Sequence, residues 1–273
     1  MLLFSRLLKL LIKKTHLLKR VFDIVCSFIG IVILLPVFIL ISVLILVDSK
    51  GGIFYRQIRV GKNNEDFSLL KFRTMQTDAD KKGLLTVGSR DSRVTRVGYF
   101  LRKYKLDELP QLFNVLFGSM SLVGPRPEVR KYVNMYNDEQ KKVLNVKPGI
   151  TDYASIEYSN ENEILAKAQD PEQTYITEIM PHKLSLNLKY ISEKGFTIDL
   201  KIIFKTIAKI ASKLSIPSSF RGGTTRQSKT KNPEYYLRIF YQIILLAIML
   251  QLPELLLLQK LLVLLLQQPE ELL

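Results

Sequence analysis

Ile24 to Val47 reads IVCSFIGIVILLPVFILISVLILV, an uncharged run bounded by Asp23 and Asp48. As a helix it would be about 36 Å long at ~1.5 Å per residue, more than the ~30 Å hydrocarbon core of a bilayer. A spanning helix is the default reading of these residues. Two features suit a different path. Pro36 stands near the middle, where it removes a backbone donor and kinks a helix. Basic residues flank both ends, Lys19 and Arg20 before it and Lys50, Arg56 and Arg59 after it, so flanking charge sets no orientation. A helix-turn-helix that enters and leaves by one face satisfies both observations.

Working outward, residues 1–19 alternate leucines with Arg6, Lys9, Lys13, Lys14 and Lys19, the pattern of a basic amphipathic helix lying on a membrane surface. The whole chain carries 40 Lys+Arg against 25 Asp+Glu, a formal net charge of +15. Its partners are therefore expected to be anionic. A mean hydropathy of +0.12 combined with that charge favours a membrane surface over nucleic acid. Cys26 is the single cysteine and His16 and His182 the two histidines, which excludes an intrachain disulfide and a zinc cluster and fits a reducing compartment. The apolar run starts late and lacks a small-residue cleavage site after it, so no cleavable signal peptide is expected. P-loop, dinucleotide and metalloprotease motifs are absent from the sequence, leaving a nucleotide kinase or dehydrogenase without support.

Beyond the apolar run, Arg56 to Lys105 holds 13 Lys+Arg against 5 Asp+Glu, a net of +8. Ile53–Tyr55 and Phe67–Phe72 read as strands of a β-hairpin with Gly61–Asn64 as the turn. Helices are predicted over 96–105, 109–116, 127–143, 161–168, 174–191 and 199–214, with Gly118 closing the second and Lys147-Pro148-Gly149 forming a turn. The last helix takes Asp199 as N-cap and repeats Lys201, Lys205, Lys209 and Lys213 every fourth residue. It suits anionic headgroups, or equally an ordinary packed surface. Residues 215–234 read as a polar linker, and the Leu-, Ile- and Gln-rich end beyond it as an apolar tail of unassigned role. The class is α+β, mostly helical.

The chemistry-bearing stretch is Asp107-Glu108-Leu109-Pro110-Gln111. Pro110 belongs in a first helical turn, so Leu106 or Asp107 is a natural N-cap and both carboxylates would sit at the positive end of a helix dipole. An ionised Asp is an established nucleophile toward phosphorus. Two anions facing an anionic substrate repel it, which calls for a divalent cation such as Mg²⁺. Arg126 lies between Pro125 and Pro127, a stiff backbone from which a guanidinium can grip phosphate; a solvated arginine on a rigid loop is the plainer alternative. Lys71 and Arg73 would share one face of a strand, and Arg90, Arg93, Arg96 and Arg102 are further phosphate candidates. His182, after Pro181, reads as structural.

Several motifs agree in order with a known family: Lys19 to Ile24, Tyr55-Arg56-Gln57, Lys71 to Met75, Leu101-Arg102-Lys103, Leu106 to Gln111, Ser121 to Glu128 and Lys147 to Thr151. Over roughly residues 15–212 the chain resembles a bacterial sugar transferase of the monotopic phosphoglycosyl transferase family. The resemblance implies transfer of a sugar-1-phosphate from a UDP-sugar to undecaprenyl phosphate with release of UMP, the first step of a surface polysaccharide or glycan. It implies a covalent phosphosugar on Asp107, Glu108 as its partner in holding Mg²⁺ or assisting as base, and phosphate binding by Arg102 and Arg126. It also implies a monotopic protein with a re-entrant helix broken at Pro36 (residues 20–48) and a catalytic domain over 49–214; the tail over 215–273 has no counterpart in the family. The site would lie on the cytoplasmic face of the inner membrane; no nucleic-acid partner is expected, and a homodimer is compatible with the reading. Leu35 stands where many members have Ser, and Asp152-Tyr153-Ala154-Ser155 where many continue with Gly. The rival readings are a non-catalytic membrane scaffold and a membrane-tethered nucleic-acid binder.

Overall fold

A computed structural model describes residues 2–77, 79 and 91–214, with side chains from Leu17 to Ile210 among them. The expected linker and tail over 215–273, the side chains of the basic leader as far as His16, and Arg90 lie outside the described residues.

Helix α1 (Leu2–Asp48) is a single α-helix. It runs through residue 19, where the basic leader was expected to end, and through Pro36, where a break was expected. Proline removes one donor but its fixed φ is already helical, so the backbone can continue through it. From Leu17 onward, α1 is long and apolar enough to cross a membrane. Gly30–Ile41, the part around Pro36, belongs to a compact unit separate from the body formed by residues 1–29 and 42–216.

In that body, β1 (Phe54–Val60) and β2 (Asp66–Phe72) form the antiparallel hairpin, with Phe54 opposite Phe72 and Val60 opposite Asp66. Strand β1 continues past the expected Tyr55. Its burial reverses the usual alternation: Tyr55, Gln57 and Arg59 turn partly inward while Phe54, Arg56 and Ile58 are exposed. The inner side faces a polar cavity rather than an apolar core, which hides the strand from a hydrophobic-pattern reading.

Helix α2 (Arg96–Lys103) starts on Thr95, whose hydroxyl accepts from Gly98 N–H at 2.9 Å. Gly98 lies against the Thr74 backbone so closely that a Cβ would meet its carbonyl oxygen at 2.0 Å. A 3₁₀ turn at Leu106–Glu108 leads to α3 (Gln111–Phe117), closed by Gly118 at φ 95°. Strand β3 (Ser121–Val123) pairs in parallel with β4 (Gly149–Thr151).

Between those strands, the single helix expected over 127–143 is replaced by α4 (Arg130–Val133) and a 3₁₀ segment, Gln140–Asn145. The cause is local. Glu128 bridges to Val60 in extended form. Asn137 and Gln140 then cap each other, Gln140 N–H to Asn137 Oδ1 at 2.8 Å and Asn137 N–H to Gln140 Oε1 at 3.0 Å, which starts a new turn. Short helices α5 (Tyr153–Glu157), α6 (Glu161–Leu165) and α7 (Pro171–Thr174) follow. A π turn at Tyr175–Ile179 joins α7 to α8 (Met180–Glu193), and α9 (Phe196–Leu214) ends the described chain.

Asp199 is not the N-cap of α9; the helix begins at Phe196 and buries Asp199 against Lys19 at 2.5 Å and the Tyr190 hydroxyl at 2.8 Å. Lys201, Lys205 and Lys209 are exposed, and so are Phe204, Ile207 and Ile210 between them. The main core joins Val60, Tyr132, Val133, Tyr136 and Val143 to Leu165, Tyr175, Ile179, Met180 and Leu184, tying the hairpin to the helical layer. A smaller cluster of Leu69, Val115 and Met120 seats α3 on β2.

Candidate active site

The carboxylates do not open an α-helix. Lys105 adopts a left-handed backbone (φ 59°) and Pro110, not Leu106 or Asp107, caps α3. Asp107 and Glu108 occupy the separate 3₁₀ turn, held by Glu108 N–H to Lys105 O at 3.3 Å and Leu109 N–H to Leu106 O at 3.2 Å. So short a turn has no aligned dipole to favour their charge. Cationic side chains take that role instead.

Glu108 is fully engaged. Arg126 grips it with both terminal nitrogens, Nη1 to Oε2 at 3.2 Å and Nη2 to Oε1, while Lys71 Nζ reaches Oε1 at 3.3 Å. Burial opposes the charge on Glu108, but Arg126 and Lys71 outweigh it and hold its carboxyl well below the usual range. The same pairing raises the affinity of Arg126 for its proton. Burial pushes Lys71 down, with Glu108 offsetting part of the effect.

Asp107 is the opposite case. It is 8 % exposed, and its Oδ1 has no hydrogen-bond partner. Burial pushes its pKa up, and the attraction of Lys71 offsets only part. This carboxylate opens on a cavity of about 390 Å³ lined by Tyr55, Gln57, Arg59, Lys71, Arg93 and Arg102 among others. Burial lowers the pKa of Arg102, opposed by its attraction to Asp107.

Arg73 also lines the cavity, but its guanidinium donates to the carbonyls of Ser49, at 2.8 Å, and Lys50, just past the end of α1. Arg93 is paired with Asp91 at 2.6 Å, and Arg96 is exposed. Pro125 and Pro127 flank Arg126 as the sequence requires, with the Pro127 carbonyl accepting from Arg59 at 3.3 Å. His182 sits near the surface, bonded to the Tyr158 hydroxyl at 2.8 Å and apart from this site.

Three supporting residues escaped the sequence reading. Asn114 on α3 donates to Ser68 O at 2.8 Å and accepts from Leu70 N–H at 2.9 Å, pairing with the outer edge of β2 as a further strand would. Glu128 binds Arg59 at 2.8 Å and the Tyr175 hydroxyl, fixing the loop after Arg126. Asp152 is fully buried and accepts from the Arg126 N–H. The sequence named Glu128 only within the Ser121-to-Glu128 motif and Asp152 only as a departure from the family pattern, and it carried no signal for Asn114.

The family model for bacterial sugar transferases matches residues 14–213. The chain belongs to the bacterial sugar transferase family. The chain is 38 % identical over 196 residues to the UDP-N-acetylgalactosamine-undecaprenyl-phosphate N-acetylgalactosaminephosphotransferase of Aeromonas hydrophila, covering 71 % of the present chain and 43 % of that protein. It is 36 % identical over 195 residues to the UDP-glucose:undecaprenyl-phosphate glucose-1-phosphate transferase of Klebsiella pneumoniae, over 70 % of the chain and 39 % of the relative. It is 33 % identical over 207 residues to the exopolysaccharide production protein ExoY of Sinorhizobium fredii, over 70 % of the chain and 84 % of the relative. The chain thus spans less than half the length of the first two.

Proposed function

We propose that the protein transfers a sugar-1-phosphate from a UDP-sugar to undecaprenyl phosphate and releases UMP, initiating a bacterial surface polysaccharide or glycan. The observation that carries this reading is the buried Asp107, its Oδ1 unpartnered, lining an arginine-rich cavity beside a Glu108 whose charge is already paired. In the first step an Asp107 oxygen attacks the phosphorus that bears the sugar. The bond from that phosphorus to the oxygen bridging the two phosphates breaks, and UMP leaves with the bridging oxygen. In the second step a phosphate oxygen of undecaprenyl phosphate attacks the same phosphorus and displaces the Asp107 carboxylate. Two displacements separate two bulky substrates in time and give ping-pong kinetics. Lys71, Arg102 and Arg126 supply the positive charge that receives the phosphates.

The donor set fits Mg²⁺ through Asp107 together with substrate phosphate oxygens, the usual way this ion is held. Both oxygens of Glu108 are occupied by Arg126 and Lys71, so Glu108 would join only by releasing one of them. When bound, the ion would neutralise charge on the pyrophosphate. Among the described residues no group of three or more Asp, Glu, His or Cys side chains forms a dedicated metal cage.

The same reading includes a monotopic topology. Arg20 donates to Val115 O at 2.6 Å and Leu116 O at 2.8 Å, and Asp23 accepts from Leu122 N–H at 3.0 Å. At the other end of α1, Asp48 accepts from Val97 N–H at 2.9 Å and Arg73 holds the Ser49 carbonyl at 2.8 Å. Both flanks of the apolar run therefore dock on one catalytic body. A transmembrane crossing would put them on opposite sides, so this docking supports the monotopic reading, with both flanks on the cytoplasmic face. The test is UMP release by the solubilised protein given Mg²⁺, undecaprenyl phosphate and a panel of UDP-sugars, beside Asp107→Asn. Release with one sugar that disappears in the variant supports the reading; full activity in Asp107→Asn refutes the nucleophile.

A further inference from the structure

Arg126 meets Glu108 from a loop whose backbone polar groups are tied down. Gly124 N–H donates to Thr151 O at 3.1 Å, Pro125 O accepts from Gly149 N–H at 3.0 Å, and Pro127 O accepts from Arg59. Pro125 and Pro127 have no N–H to place. The remaining donor, Arg126 N–H, goes to a side chain: Asp152 Oδ2 at 3.1 Å. The other oxygen of Asp152 accepts from Ser155 N–H at 2.6 Å and caps α5. Asp152 is 0 % exposed, which places a carboxylate beneath the loop with one oxygen for each duty.

We propose that Asp152 is a positioning residue for Arg126, fixing its backbone so that the guanidinium stays aimed at Glu108 and the phosphate-receiving side of the site. This rests on the reading of Arg126 as a phosphate ligand. With N–H anchored and both neighbouring φ angles locked, only the arginine side-chain torsions remain free when substrate phosphate competes with Glu108 for the guanidinium.

Asp152→Asn isolates that task. Asn caps a helix about as well as Asp, so Ser155 keeps its acceptor, but the second position becomes an NH₂ group that cannot accept from Arg126. Asp152→Ser is the companion variant: its hydroxyl can cap α5 but offers a single oxygen. UMP release would be read in both, alone and combined with Arg126→Ala. The expected result is a roughly tenfold rise in KM for the UDP-sugar with kcat changed much less, and no further loss in the Arg126→Ala background. An equal loss in both backgrounds, or no loss in either, overturns the proposal. A second readout needs no turnover: the Arg126 side-chain N–H signal of ¹⁵N-arginine-labelled protein in lipid nanodiscs, assigned by its absence from Arg126→Ala. Protection from exchange should fall in both Asp152 variants, and an unchanged signal also overturns the proposal. If wild type releases no UMP yet the Asp152 variants lose that protection, the functional reading fails and the positioning stands.

Discussion

Replacing Asn114 by Leu would test how the two walls of the site are joined. Helix α3 follows directly from the Asp107–Glu108 turn, and β2 carries Lys71. The Asn114 amide links them with three hydrogen bonds: to Ser68 O at 2.8 Å, from Leu70 N–H at 2.9 Å, and to the Ser119 hydroxyl at 3.0 Å. Asn114 itself is 6 % exposed. Three bonds at about 1 kcal/mol net each, plus ~1 kcal/mol for leaving the Leu70 N–H facing an apolar side chain, less what the leucine regains by burial, give a loss of roughly 2–4 kcal/mol. At roughly 2–4 °C per kcal/mol for a domain of this size, a loss of about 3 kcal/mol lowers Tm by ~6–12 °C. Asn114→Asp keeps an acceptor for Leu70 but cannot donate to Ser68, so it should fall between wild type and Asn114→Leu. The assay is thermal unfolding in one detergent at one scan rate, with UMP release measured well below Tm. A Tm for Asn114→Leu within about 2 °C of wild type would refute the view that this amide serves as a third strand.

Other outcomes follow from the same geometry. Burial raises the pKa of Asp107, and the attacking carboxylate must be ionised, so UMP release should fall on acidification at a pH above 3.8, the ordinary value for Asp; a limb at or below that value contradicts the environment described. Glu108 has the reverse sign. Its depressed pKa contributes stability that is complete above 4.5 and disappears as pH falls through the folded value, so Glu108→Gln should flatten the acid side of a stability–pH curve. Gly149→Ala would place a Cβ 2.0 Å from Gly124 N, backbone against backbone, so Tm should drop sharply and β3–β4 pairing should be lost; a near-native melt would show that the loop can move aside. In a Cys26→Ser background, Leu18→Cys and Lys50→Cys should react with an impermeant maleimide from one and the same side of the membrane, whereas labelling from opposite sides would establish a crossing.

What was legible in the sequence tracks the physics of each element. The apolar run, the hairpin turn and the Gly118 helix stop are local signals, readable from composition and single residues. The continuation of β1 was hidden because Tyr55, Gln57 and Arg59 line a cavity, so polarity and burial exchange places. The 127–143 region looked helical by composition, but Asn137 and Gln140 cap each other and restart the chain. Asp199 resembled a cap because its distant partners, Lys19 and Tyr190, cannot be seen in local sequence. The carboxylate pair was legible as a candidate and misplaced as geometry: Pro110 was read as first-turn rather than as the cap itself. Asn114 and Asp152 act through contacts 26 to 46 residues away, which no local pattern announces.

If Asp107 is the nucleophile proposed above, the adjacent carboxylates show why it needs a neighbour. Two open anions would repel a pyrophosphate before either could attack it. Here Arg126 and Lys71 converge on Glu108, so its charge is cancelled locally, and Lys71 also attracts Asp107. In the proposed reaction Glu108 would hold Lys71 and Arg126 in position for substrate phosphate. Arg73 adds charge without losing it, because its partners are carbonyl dipoles rather than an anion. Asp107, lacking a partner on Oδ1, keeps one oxygen uncommitted in a desolvated place where its ionised form is least satisfied. In the proposed reaction, bonding to phosphorus would exchange that buried, poorly solvated charge for a covalent bond, and attack by undecaprenyl phosphate would return it. The asymmetry between Asp107 and Glu108 is therefore set by which oxygen the arginine loop can reach, and that reach is fixed by the residues beneath the loop.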